Sequence, residues 1–146
     1  MVSTVCSMDA HADEAADDAR LVPLADPRPA TDVEGALLEA LVAPLGLREL
    51  ANQVALAEVV SVCSCGCPSI GLRTKGPALS TDVVRRLSDV GRDNVLDVSA
   101  WGVNDEGRAV LVTLHVVEGL LEELEVWAGW DGGEVRTTLP SAASLR

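Results

Sequence analysis

The chain has 146 residues, a formal net charge of −12 and 48% apolar residues, yet it contains no Phe, no Tyr and only three Trp. Such an acidic chain repels phosphate backbones and offers few stacking platforms, so nucleic-acid binding is excluded. The length predicts one domain with a core of Val, Leu and Ala.

No apolar run is long enough for a membrane span. The first residues carry no basic and apolar leader. The expected location is the cytoplasm, where thiols stay reduced and a disulfide framework does not form. Residues 1–30 read as a disordered acidic leader, with Asp9, Asp13, Glu14, Asp17 and Asp18 followed by Pro23, Pro27 and Pro29. Within it, Leu21-Val22-Pro23-Leu24 is a candidate recruited peptide. A single domain is expected over 31–140, with a tail at 141–146.

Thr31 and Glu34 have the spacing of a capping box. Leu37, Leu38, Leu41 and Val42 follow on one helical face, with Glu34 and Glu39 off it, and Pro44 ends the run. A second short helix is predicted over Leu47–Gln53, with Leu47 and Leu50 inward. From Leu56 the β-branched Val59, Val60 and Val62 favour a strand ending at Cys63. The chain turns through Gly66, returns through Ile70 and Leu72, and breaks at Lys75-Gly76-Pro77. Ser80–Val90 reads as a helix capped by Ser80 or Thr81, with Val83, Val84, Leu87 and Val90 inward and Gly91 at its C′ position.

Three alternating runs follow: Val95–Val103, Arg108–Val117 and Leu120–Trp127. They are joined by Asn104-Asp105-Glu106-Gly107 and by Glu118-Gly119. If both turns are type I with a Gly bulge, one face collects Leu96, Val98, Ala100, Val110, Val112, Leu114, Val116, Leu120, Leu124 and Val126. Glu122 alone spoils that face. The same register sets His115 opposite Asp97 on the outer face, beside Ser99 and Thr113. The predicted fold class is α+β: an antiparallel meander with two or three short helices on one face. No βαβ alternation or Gly-rich phosphate loop is present, which argues against a dinucleotide site.

The chemically distinctive stretch is Cys63-Ser64-Cys65-Gly66-Cys67-Pro68-Ser69-Ile70. Gly66 and Pro68 favour a tight turn that converges three sulfurs. The cysteines can act there as small apolar residues. They can instead ligate Zn or Cu(I), with Cys6, His11 or His115 as a fourth ligand. A third reading is redox chemistry by a low-pKa thiol near Arg73 and Lys75. This Cys-x-Cys-Gly-Cys-Pro-Ser run, paired with Gly119-Leu120-Leu121-x-x-Leu124-Glu125-Val126-Trp127, resembles a group of uncharacterised small bacterial proteins, mostly actinobacterial. The resemblance spans about Val33 to Pro140 and implies a shared fold, with no activity attached.

No catalytic constellation is legible. Glu123 and Glu125 form an acidic stripe on the outer face, where Trp101 and Trp127 are candidate contact residues and Trp130 follows. The leading functional expectation is a non-enzymatic interaction domain, immunity-like or inhibitory, for a basic protein partner. The alternative is a metal-thiolate protein holding Zn or Cu on Cys63, Cys65 and Cys67.

Overall fold

A computed structural model describes residues 20–88, 94–128 and 137–146. Readings on Cys6, His11, Val90, Gly91 and Trp130 lie outside the described residues, as do residues 1–19 of the expected leader. The expected α+β class is the observed one. Among the described residues, six antiparallel strands are ordered β1-β2-β3-β6-β5-β4. They are β1 (Leu21–Pro29), β2 (Glu58–Cys63), β3 (Ile70–Arg73), β4 (Val95–Val103), β5 (Ala109–Val117) and β6 (Leu120–Trp127). The α-helices of the described residues, α1 (Asp32–Val42), α2 (Arg48–Leu56) and α3 (Thr81–Leu87), share one apolar core with the sheet. No helix among the described residues is long and apolar enough to cross a membrane.

The expected leader is corrected from Arg20 onward. Residues 21–29 form an edge strand on β2, pairing Leu21 with Cys63 and Val22 with Val62. Only one side of an edge strand is paired, so its prolines leave the sheet intact. The strand is also pinned by charge. Arg28 donates from Nη1 to Glu34 Oε1 at 2.8 Å and from Nη2 to Oε2 at 3.0 Å. Glu34 completes the capping box, its Oε1 accepting from the Thr31 amide at 2.8 Å while Thr31 Oγ1 accepts from the Glu34 amide at 3.1 Å. Glu34 therefore belongs to the buried side of α1, not the solvent side, because Arg28 covers it. Burial alone would raise its carboxyl pKa; the Arg28 fork and the Thr31 amide outweigh burial and hold it below the usual range.

The cap delivers Leu37, Leu38, Leu41 and Val42 to the core. Pro44 lies in a short 3-10 turn that closes at Gly46, φ 64°. α2 runs past the expected Gln53 because Val54 adds a second buried position four residues after Leu50. In α3, which stops at Leu87 rather than Val90, the Ser80 hydroxyl caps the Val83 amide and Val84 is buried.

The β4–β5 hairpin has the expected bulged turn. Gly107, at φ 76°, donates to the Asn104 carbonyl at 3.0 Å, and Asp97 stands opposite His115. The β5–β6 turn differs. Glu118 at φ 52° and Gly119 at φ 78° are both left-handed, which makes a two-residue type I′ turn. A Cβ on Gly119 would strike the Leu79 backbone, so that position is confined to glycine. The irregularity moves to Glu122: Val116 pairs with Leu121, and His115 pairs with Glu123. Leu121 thereby enters the core in place of Leu120, and Glu122 leaves the ladder.

The expected tail at 141–146 is also corrected. Trp101 donates its amide to the Arg146 carbonyl at 3.1 Å, and Arg146 returns one to Trp101 at 2.8 Å. The segment fits because Gly102 has no Cβ; one there would meet Pro140 at 2.7 Å and Leu145 at 2.9 Å. The otherwise open edge of β4 is covered in this way.

Gln53 sits fully buried beneath the second turn. Its Nε2 donates to the carbonyls of Gly119 at 2.9 Å and Pro77 at 3.1 Å. Its Oε1 accepts from the Leu121 amide at 2.9 Å and the Thr74 hydroxyl at 3.3 Å. Replacing it with Leu strands these groups in the core and is expected to cost about 2–4 kcal/mol. Asn52→Leu, on the exposed side of α2, is expected to stay within about 0.5 kcal/mol. Chemical denaturation of both variants checks this.

Arg28→Ala tests the docking of β1. A carboxyl with a depressed folded pKa stabilises above its unfolded pKa, and that stability is lost as pH falls through the folded value. The variant is expected to lose about 1–2 kcal/mol at neutral pH, and the gap to wild type to close below about pH 4. Denaturation midpoints across pH measure it.

Candidate functional site

Cys63 ends β2, and the turn that follows is held from both sides. Gly66, at φ 84°, donates to the Cys63 carbonyl at 3.1 Å. Ser64 and Arg20 exchange two hydrogen bonds: the Ser64 amide to the Arg20 carbonyl at 2.8 Å, and the Arg20 amide to Ser64 Oγ at 3.1 Å. Val62 faces Ile70 across the hairpin, so alternation turns Cys63 away from the helices. There Cys63 and Cys67 pack with Leu21 in a small cluster separate from the main core.

Cys67 is fixed by Ser69. Its Sγ donates to Ser69 Oγ at 3.3 Å, and that oxygen accepts from the Val126 amide at 2.9 Å. The Ser69 hydroxyl thus continues the β3–β6 ladder where the backbone of the turn has left it. Cys65 stands at the exposed tip, its sulfur 3.0 Å from Cys63 Sγ and 3.4 Å from the Cys67 amide. All three sulfurs lie within 4.8 Å of one another, the convergence that the spacing predicts.

Burial and the neighbouring Cys63 thiol push the Cys65 thiol up to about 12, against a smaller opposing effect of the Cys67 amide. This is opposite to the low-pKa thiol that the redox reading requires. Arg73, expected to activate it, is held by Glu58 at 2.6 Å. A metal ion changes that state, since coordination replaces the thiol protons. Among the described residues no fourth Cys, His, Asp or Glu joins the three sulfurs. His115, a candidate fourth ligand, is engaged elsewhere.

On the outer face His115 Nδ1 lies 2.7 Å from Asp97 Oδ1, and its Nε2 lies 3.6 Å from Glu125 Oε1. Burial opposes protonation of the ring, but the hydrogen bonds and charges of Glu125 and Asp97 outweigh it and raise the pKa to about 9. His115 is therefore a cation at neutral pH and holds no lone pair for general-base work. Ser99 Oγ and Thr113 Oγ1, 2.8 Å apart, form the neighbouring cross-strand pair.

The four expected contact residues divide. Trp101 is 46% exposed and packs edge-on against Trp127, with ring centroids 6.1 Å apart and planes at 66°. Glu125 is turned towards His115. Glu123 is only 1% exposed and is withdrawn from any contact surface, because β6 is an interior strand there, with Gly71 and His115 on its two sides. Ser69 and Leu21 escape a sequence reading. Cys-Pro-Ser signals only where a strand begins, and Leu21 lies in the proline-rich stretch.

No family model, curated protein or solved structure matches the chain.

Because the His115 pKa is raised, its stabilising contribution is complete below the unfolded value near 6.5 and is lost as pH rises through the folded value. NMR titration is expected to place its midpoint near 9. The stability gap between wild type and His115→Gln should be widest near pH 6 and shrink towards about pH 10.

Proposed function

We propose that the domain binds a thiophilic metal ion, Zn(II) or Cu(I), through Cys63, Cys65 and Cys67. The observation that carries this reading is the approach of all three sulfurs to within 4.8 Å. Sulfurs around an ion at roughly 2.3 Å stand about 3.8–4.0 Å apart in tetrahedral or trigonal geometry. The turn brackets that spacing, so small adjustments of its tip suffice. The reading places the protein in the reducing cytoplasm, where the thiols remain available.

A second reading has its own observation. Trp101 and Val103 are each 46% exposed at one end of β4. Trp is frequent at contact hot spots, and a net charge of −12 favours a basic protein partner. An interaction domain, immunity-like or inhibitory, would use that end of the sheet.

The ion serves function rather than folding. The core holds Leu37, Leu38, Leu50, Leu114 and Leu124 fully buried, each contributing about 1.5–3 kcal/mol, without help from the turn. Elemental analysis and titration of the reduced protein should find about one ion per chain. The triple Cys→Ser variant should find none, while keeping native circular dichroism and cooperative unfolding. A domain that unfolds when chelator removes the ion would make the site a structural staple instead.

A further inference from the structure

We infer that the preferred occupant of the turn is monovalent copper, held by three sulfurs, with Cys65 as the ligand through which the ion enters and leaves. The inference rests on the metal reading above and specifies its ion and its traffic.

Ligand number and type come first. The described residues bring three sulfurs together with no His, Asp or Glu among them. Zinc favours four ligands and accepts nitrogen and oxygen readily. A purely sulfur set with three members suits the softer monovalent ion, which is stable in trigonal coordination.

The three ligands are also unequally held. Cys63 is the last residue of β2 and is buried against Leu21. Cys67 is buried and tied through Ser69 to the Val126 backbone. Cys65 is exposed, and beside it a Cβ on Gly66 would meet nothing within 4 Å. Two sulfurs thus form a fixed, shielded pair, and the third is a gate facing open space.

Exchange follows by simple substitution. The sulfur of an incoming thiol bonds to copper as the Cys65 sulfur–copper bond breaks. The proton of the incoming thiol ends on Cys65, and copper stays monovalent throughout, so no electron moves. The natural counterpart is a donor or acceptor that presents a thiol of its own.

The full chain, reduced and kept free of oxygen, is loaded with Cu(I) or with Zn(II) and titrated with a chelator for each. One Cu(I) per chain with three sulfur neighbours by X-ray absorption is expected, and Zn(II) is expected to bind at least about 100-fold more weakly. Cys65→Ser should retain Cu(I) on the fixed pair, weakened about tenfold, whereas Cys63→Ser and Cys67→Ser should lose about 100-fold or more. Circular dichroism verifies that each variant is folded. Four-coordinate zinc held as tightly as copper overturns the choice of ion. Equal losses in the three variants overturn the role of Cys65. Binding of neither ion overturns the metal reading itself.

Discussion

The constraint on which the structure turns is the satisfaction of one buried amide. Gln53 reaches from α2 to the loop before α3 and to the β5–β6 turn, and both of its polar ends are fully used. In a low-dielectric interior such a side chain is tolerated only when every partner is in place. Its partners include the carbonyl of Gly119 and the amide of Leu121, so it fixes where β6 begins. That start determines the register: Leu121 inward, Glu122 out of the ladder, Glu123 beside His115. The polar arrangement of the outer face is thus set from the opposite side of the sheet.

The local signals of the fold were legible where chemistry and geometry were close in sequence. Thr31 and Glu34 announced α1, and Asn104 to Gly107 announced a bulged turn that aligned Asp97 with His115. The second turn was not legible, because Glu118 at positive φ is a rare choice. The close approach of Leu79, distant in sequence, confines the next position, Gly119, to glycine. β1 is illegible in the sequence for a different reason. Its three prolines have the composition of disorder, and an edge strand is the one sheet position that tolerates them. What holds that strand is an Arg28–Glu34 fork six residues apart, which no periodicity reveals.

The candidate site followed the same division. Spacing showed that three sulfurs would converge, but could not show that they differ in exposure. That difference comes from β1, whose Leu21 covers Cys63 and Cys67 and leaves Cys65 in the open. The metal reading and the corrected leader are consequently linked: the stretch expected to be disordered forms one wall of the site. The acidic stripe was resolved by the interior position of β6, which buries Glu123 between Gly71 and His115 and leaves Glu125 to share the charge of His115.

The tryptophan pair gives the protein an optical signature. The chain has no Tyr and no Phe, so absorption near 280 nm comes from tryptophan, and two of the three indoles meet edge-on across β5. Transition dipoles in that arrangement couple and split the circular dichroism band, and the splitting vanishes once β4 and β6 separate. The outer half of the sheet therefore carries an intrinsic gauge of its own closure, readable without any label.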